Sequence, residues 1–349
     1  QSLNRELMLQ PDAMPAVEGK PVITPVSKAQ LREQPGLTQA IYTLLTSAHY
    51  RTRPSDLRQL LEDEKQQVIV ACIGEQVIAV LTLIGEGGLQ PELTEDVFYG
   101  RRRPPGNLLA QMLTAQAGMR DFARWQGARI QRIAVAAGHR RQGIGRQLVQ
   151  QARQLVQQQG LDYLGSSFAL DQTSLQFWQA TGFTMVHIAA APGRTSGRQA
   201  IAVLQSDQGA LQQRIDQQHQ YLVQDLPVIL LTRCRDMLWR DVRALLVMIK
   251  DRHELETRER DQLTAFAYAH RGFEYTLPLL QRLVLRCSPT LLLMQDEALQ
   301  RLLIEKILLN RGWDEIGGAL AGQGRKAMLA ALRRTISDIV ERCDLDSQG

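Results

Sequence analysis

Nowhere do the 349 residues of this chain offer an uninterrupted apolar run near the roughly 18 residues that a membrane-spanning helix needs. The first residues, Gln1-Ser-Leu-Asn, lack the basic segment and apolar core of a secretory signal peptide. An initiator Met is missing too, so the chain is expected to be part of a longer polypeptide. Cysteine is scarce and scattered: Cys72, Cys234, Cys287 and Cys343 show no CxxC or His-paired spacing. That argues against a structural zinc site and a disulfide framework, and it suits a reducing cytoplasm, where such thiols act as small hydrophobes. No Gly-x-x-x-x-Gly-Lys-Ser/Thr loop occurs, which excludes a nucleotide site of the P-loop kind.

What is present has the bulk character of a water-soluble globular protein, with 44% hydrophobic and 22% charged residues. The formal net charge of +5 is unevenly spread. Residues 1–204 hold 21 Lys and Arg against 16 Asp and Glu, whereas residues 205–349 hold 20 of each. A basic excess confined to the first part is compatible with a polyanionic partner without establishing one.

Residues 1–30, punctuated by Pro11, Pro15, Pro21 and Pro25, read as an extended lead-in. Helical spacing follows at 39–48 and from about 54 to 61. Two β-branched runs, 68–72 and 77–83, flank Gly74-Glu75 as a hairpin. Residues 107–125 show helical spacing, 128–135 a strand, and 145–158 a helix with Leu148, Ala152, Leu155 and Val156 on one face. Further strands are expected at 163–168, 183–189 and 200–204, with a helix at 174–180. Beyond Leu204 nearly everything is helical, punctuated by Pro227, Pro278, Pro289 and the Gly-rich 317–324. The expected architecture is therefore a mixed α/β domain over 1–204 and a helical tail over 205–349.

The strongest chemical signal lies between a strand and an amphipathic helix: His139-Arg-Arg-Gln-Gly-Ile-Gly-Arg146. Gly143 and Gly145 carry no Cβ, so the backbone can turn sharply and approach a ligand. The helix that begins there aims free N–H groups and its positive dipole end at the turn. Arg140, Arg141 and Arg146 add charge, and together these groups form a site for a pyrophosphate or similar anion. The missing third glycine argues against a dinucleotide-binding loop.

Arg140-x-x-Gly143-x-Gly145 resembles the acetyl-CoA pyrophosphate loop of the GNAT acetyltransferase superfamily. Phe177-Trp178-Gln-Ala-Thr-Gly182-Phe183 looks like that superfamily's second motif. The resemblance implies a GNAT-type mixed β-sheet flanked by helices, in which the backbone of Ile133, Ala134 and Val135 leaves its neighbouring strand and receives the pantetheine arm. Arg140, Arg141, Gln142, Gly143, Ile144, Gly145 and Arg146 would then hold the pyrophosphate. Two positions depart from the pattern. Trp178 stands where many relatives carry a Tyr that protonates the departing thiolate, and Asp171 stands where an Asn is common. An indole does not titrate in a useful range, so Trp178 is not expected to serve as an acid.

The stretches Leu44-Leu-Thr-Ser-Ala-His-Tyr-Arg-Thr-Arg-Pro-Ser-Asp-Leu-Arg-Gln-Leu-Leu61 and Gly100-Arg-Arg-Arg-Pro-Pro-Gly-Asn-Leu-Leu109 resemble signatures of the tRNA(Met) cytidine acetyltransferase family. That resemblance implies acetyl transfer from acetyl-CoA to the exocyclic N4 amine of the wobble cytidine of elongator tRNA(Met). It also implies a helicase-like ATPase module, for which ATP would be needed and of which this sequence contains nothing. The helical tail would bind tRNA or merely pack as a bundle.

Read as residues alone, Arg51, Arg53 and Arg58 cluster at a helix start, and Arg101, Arg102 and Arg103 precede Pro104-Pro105. Arginine suits forked phosphate contacts and stacking on unpaired bases, so both clusters are candidate RNA contacts. Tyr42, His49 and Tyr50 could add stacking surface or simply pack. No carboxylate lies on the strand 128–135 that could act as a base. The titratable candidates are His49, His139 beside the loop, and Asp171, whose ordinary role would be to cap a helix. Competing readings on the same scaffold are acetylation of a protein or small-molecule amine, or a degenerate GNAT module that binds RNA without catalysis.

Overall fold

The computed structural model describes residues 18–48, 54–193, 196–249, 255–286, 295–317, 320 and 322–346. It opens with β1 (Val22–Val26), α1 (Lys28–Glu33), α2 (Pro35–Ala48), α3 (Pro54–Glu62), β2 (Gln66–Ile73) and β3 (Gln76–Gly87). There follow α4 (Pro91–Phe98), α5 (Leu108–Ala115), β4 (Gln126–Val135), α6 (Ile144–Gln158), β5 (Tyr163–Ala169), α7 (Gln172–Ala180), β6 (Thr184–Pro192) and β7 (Gln199–Gln205). The seven strands form one mixed sheet in the order β1-β2-β3-β4-β5-β7-β6. This is the expected α/β class.

The lead-in is more structured than its prolines suggest. Val22–Val26 pairs antiparallel with β2 as an edge strand, where Pro25 opposite Ile69 is tolerated because an edge need not donate from every residue. Ser27 then closes a reciprocal capping box with Gln30 to start α1. The helix expected over 107–125 stops at Ala115. The chain turns through Gly118 at φ +75° and a short 3-10 turn at Phe122–Arg124 before entering β4.

The chain divides into two compact units, each continuous in contacts but not in sequence. The first comprises residues 1–168, 181–187 and 202–218. On one face of its sheet, Leu31, Ile41, Leu44, Leu45 and Leu60 of α1–α3 pack on Val68, Val70, Val80, Ala134 and Ala136. Alternation sends Ile69, Ala71, Ala79 and Leu81 to the other face, where α6 covers β1–β4 with Leu148, Val149, Ala152 and Val156. A second core gathers Leu109, Leu113, Phe122, Tyr163, Leu204, Leu211 and Ile215.

One buried acid fastens this second region. Glu86, 3% exposed near the end of β3, accepts from the N–H groups of Leu109 (2.7 Å) and Ala110 (3.3 Å) at the start of α5. Its other oxygen takes Arg129 Nε at 2.5 Å. Asn107 adds a clasp: its Oδ1 accepts from Gly87 N–H (2.9 Å) and its Nδ2 donates to Pro105 O (3.1 Å). Nearby, burial and then the Glu86 charge push the Tyr163 phenol well above its usual range.

The second unit comprises residues 169–180, 188–201 and 219–349. Its helices include most of α8 (Gly209–Thr232), then α9 (Trp239–Val247), α10 (Thr257–Tyr268), α11 (Phe273–Arg286), α12 (Glu297–Leu302) and α13 (Arg325–Asp346). Two prolines expected to break helices do not: Pro227 lies inside α8 and Pro278 inside α11. Each removes one N–H from its helix, while burial of apolar neighbours (Leu226 and Ile229; Leu279 and Leu280) keeps the helix continuous. Here the buried Glu305, in a π-helical turn at Leu303–Leu308, is held by Arg301 Nε (2.9 Å) and an Arg311 guanidinium N–H (2.8 Å). Among the described residues no helix is long and apolar enough to cross a membrane, and no His/Cys/Asp/Glu group could hold a metal.

Replacing Glu86 by Ala leaves Arg129 and two helix N–H groups without their buried partner, and is expected to cost about 3–5 kcal/mol of stability. Urea denaturation measures it. A loss under about 1 kcal/mol would show that the pair is not a structural clasp.

Candidate active site

β4 meets β5 for only part of its length. Parallel pairing joins Gly127–Ile130 to Tyr163–Ser166 and goes no further, although β4 runs to Val135 and β5 to Ala169. The break coincides with an irregularity on the opposite side of β4, where the register with β3 jumps from Thr82↔Arg132 to Leu83↔Ile130. Gln131 is thus an extra residue, and a bulge of this kind bends a strand and raises its twist. Ser166 seals the last paired position by donating its hydroxyl to Ile130 O at 3.1 Å.

The register decides which backbone groups the departure of β5 leaves bare. Ala136 N–H donates to Ile78 O at 2.8 Å, so the antiparallel alternation also turns Ala134 and Arg132 toward β3. Ile133 and Val135 therefore point their N–H and C=O groups to the side that β5 has left. Arg140 Nε donates to Val135 O at 3.1 Å, which agrees with that orientation. Ala134, one of the expected contacts, is 4% exposed and pairs through its backbone with β3. The bare edge belongs to its two neighbours.

Val135 leads into a 3-10 turn at Ala137–His139 and then the glycine loop. Arg141 adopts φ +61° and Gly143 φ +80°. A left-handed conformation is natural for Gly143, whereas at Arg141 it costs about 1 kcal/mol or more. Left-handed residues among ordinary ones gather successive N–H groups into a concave anion-binding nest. Gly143 is the N-cap of α6 and provides no side-chain cap, so the first helical N–H groups stay available to a ligand. Gln142 Nε2 steadies the loop through Gly138 O at 3.1 Å. Arg140, Arg141, Gln142, Gly143 and Arg146 are exposed, Gly145 is half-buried, and Ile144 is buried as an anchor into the core.

The titratable candidates separate. His139 is 3% exposed and lies in a depression lined also by Gly19, Pro21, Ile73, Ile144 and Gln147, on the β1–β2 side of α6. Asp171 accepts from Ser174 N–H at 2.9 Å through its side chain and from Leu175 N–H at 3.0 Å through its carbonyl, which makes it the N-cap of α7. Asp241 of α9 has its carboxyl raised by burial, with Arg198 pulling it down and Asp171 pushing it up. Trp178 is 4% exposed and stacks edge-on with Phe177 at 5.1 Å. His49 lies outside the described residues.

Of the arginine candidates, Arg51 and Arg53 also lie outside the described residues, with Tyr50, while Arg58 is exposed on α3. Arg101, Arg102 and Arg103 are exposed on the loop between α4 and α5, the loop that Glu86 and Asn107 fasten. The backbone N–H groups of Arg101 and Arg102 both donate to Asp96 O (2.8 and 3.2 Å). In the tail, several arginines pair: Arg240 with Glu297, Arg282 and Arg286 with Glu259, and Arg271 with Gln262. Arg233 and Arg235 remain exposed.

Sequence reasoning did not find Glu86, Arg129 or Ser166. An acid inside the apolar run Leu81–Gly87 was the available signal for Glu86, while nothing in the sequence marks Ser166.

A mixed sheet with a bulged, partly unpaired central strand running into an uncapped glycine loop defines the GNAT acetyltransferase class. A model described as GNAT acetyltransferase 2 matches residues 40–160, and one described as tRNA-binding domain matches residues 212–346. Over most of its length the chain is similar to proteins named tRNA(Met) cytidine acetyltransferase. It is 33% identical over 307 residues to the protein of that name from Photorhabdus asymbiotica, covering 86% of this chain and 43% of the relative. The Pectobacterium atrosepticum protein of the same name is 35% identical over 318 residues, covering 88% and 42%. The chain therefore spans somewhat over two fifths of the curated relatives it matches. A solved Drosophila melanogaster polyamine N acetyltransferase overlaps 54% of this chain and 100% of its own at 15% identity and a TM-score of 0.39.

If Asp171 acts as a helix cap, Asp171→Ala should cost about 1 kcal/mol in thermal or urea unfolding, and Asp171→Ser should restore most of it. Acetyl transfer by the Ser variant should match the parent. Loss of transfer with stability intact would instead make Asp171 a proton-transfer group.

Proposed function

We propose that this chain is the acetyl-transfer and tRNA-gripping part of a tRNA(Met) cytidine acetyltransferase, forming N4-acetylcytidine at the wobble position of elongator tRNA(Met) in the cytoplasm. Residues 1–204 serve as the acetyltransferase domain and 205–349 as the tRNA-binding tail. The names of the curated relatives support the substrate, and the model matches over 40–160 and 212–346 support the division. The observation that carries the reading is the bare edge at Ile133 and Val135, continuous with the uncapped nest at Arg141–Gly143.

Acetyl-CoA suits that donor set: an amide-bearing arm needs backbone partners, and a pyrophosphate needs N–H groups and cations. Ile133 and Val135 would hold the arm. The loop N–H groups with Arg140, Arg141 and Arg146 would hold the pyrophosphate, and Gln142 with Ile144 would keep the loop in shape. When bound, acetyl-CoA supplies an acetyl thioester for attack by an amine.

The N4 lone pair of cytidine is delocalised into its ring, so its attack depends on positioning and on donors near the acyl oxygen. Backbone N–H groups near Val135, turned toward the bare side, are the donors this chain offers. Arg58, Arg102 and Arg103 would bind the RNA backbone, with Arg101 shaping the loop beside them, and the exposed Arg233 and Arg235 would add to the grip of the tail. His139 is buried on the β1–β2 side and Asp171 is engaged as a cap, so positioning takes precedence over a dedicated base.

Incubation with acetyl-CoA and tRNA(Met), followed by nucleoside mass spectrometry, tests the proposal. N4-acetylcytidine at the wobble position is the expected product. Its absence, with the ATPase module of a relative supplied as well, would overturn it.

A further inference from the structure

The loop after α4 carries more than charge. Tyr99, at the C-terminal end of α4, is 54% exposed, a large aromatic ring left in water. Its surroundings hold it in place. Phe98 meets it edge-on at 5.3 Å, the Arg101 guanidinium lies 4.9 Å from its ring centroid, and that of Arg120 lies 5.7 Å away. Both arginines are themselves anchored, Arg101 Nε on Asp96 at 2.7 Å and Arg120 on Glu95 at 2.9 Å. Gly100 at φ +72° then turns the chain so that Arg102 and Arg103 follow, exposed and with side chains unpaired among the described residues.

These two layers differ in charge. Arg101 and Arg120 are matched by Asp96 and Glu95, so they orient the ring at little net cost. Arg102 and Arg103 are unmatched, so they are the charge that the loop offers to a partner. An exposed aromatic fixed beside guanidinium groups, with free arginines next in sequence, is the arrangement that stacks an unpaired base and binds its flanking phosphates. A double helix offers no free base face to such a ring.

We infer that Tyr99 is a stacking platform for an unpaired nucleobase of the RNA substrate, with Arg102 and Arg103 on the adjoining phosphates. This rests on the RNA reading above and adds a preference for single-stranded over duplex segments. The ring is held by groups that do not need the RNA, so little ordering is required on binding.

Fluorescence anisotropy on the whole chain tests the inference, with a short unstructured RNA and a blunt RNA duplex of equal length as probes. Tyr99→Ala should weaken single-strand binding by about tenfold, leave duplex binding and acetyl-CoA affinity as in the parent, and be rescued by Tyr99→Phe. Exchanging Arg102 and Arg103 for Gln should weaken both probes and reduce the salt dependence. If Tyr99→Ala binds the single strand as tightly as the parent does, the stacking assignment is wrong while the RNA reading stands. Failure of the parent to bind either probe would overturn both.

Discussion

The architecture of the site depends on one constraint: a backbone N–H or C=O removed from its sheet partner must find another. β4 obeys it on the β3 side everywhere but the Gln131 bulge. On the β5 side it obeys it only as far as Ile130, where the Ser166 hydroxyl takes the last carbonyl. From there Ile133 and Val135 present backbone groups with no strand opposite. The bulge at Gln131 makes this possible, because it re-aims the second half of β4 without disturbing the pairs from Thr82↔Arg132 onward. A ligand with its own amides can complete the ladder, and the glycine loop places an anion site one short turn further along the same chain.

The same sheet also supports the arginine-bearing loop after α4. Glu86 near the end of β3 is buried, yet it spends its charge on a helix start and on Arg129 rather than on a ligand. With Asn107 it fixes both ends of the segment that carries Tyr99 and the three arginines. β3 and β4 thus shape two exposed regions, one through a missing strand pairing and the other through a buried ion pair.

Much of this was legible in the residues. The strand–loop–helix around Arg140–Arg146 was, because glycine, arginine and helical periodicity each leave a local mark. The hairpin at Gly74-Glu75 was legible for the same reason. The splay of β4 could be expected only through family resemblance: a register jump depends on which residues of β3 lie opposite, and no local pattern encodes that. Residues 22–26 read as lead-in because prolines weigh heavily in a local reading, whereas an edge strand tolerates them. The prolines of α8 and α11 misled in the same way, since packing of neighbouring apolar residues outweighs one lost N–H. Asp171 shows the converse: capping was its ordinary reading, and its carboxylate sits on Ser174 N–H.

Amide hydrogen exchange with and without acetyl-CoA tests the central claim most directly, because it reads the backbone groups on which the account rests. Binding should slow exchange at Ile133, Val135 and the amides from Arg141 to Arg146, and leave Ala134 and Ala136 unchanged, since β3 already holds them. Unaltered exchange at Ile133 and Val135 under saturating acetyl-CoA would contradict the account.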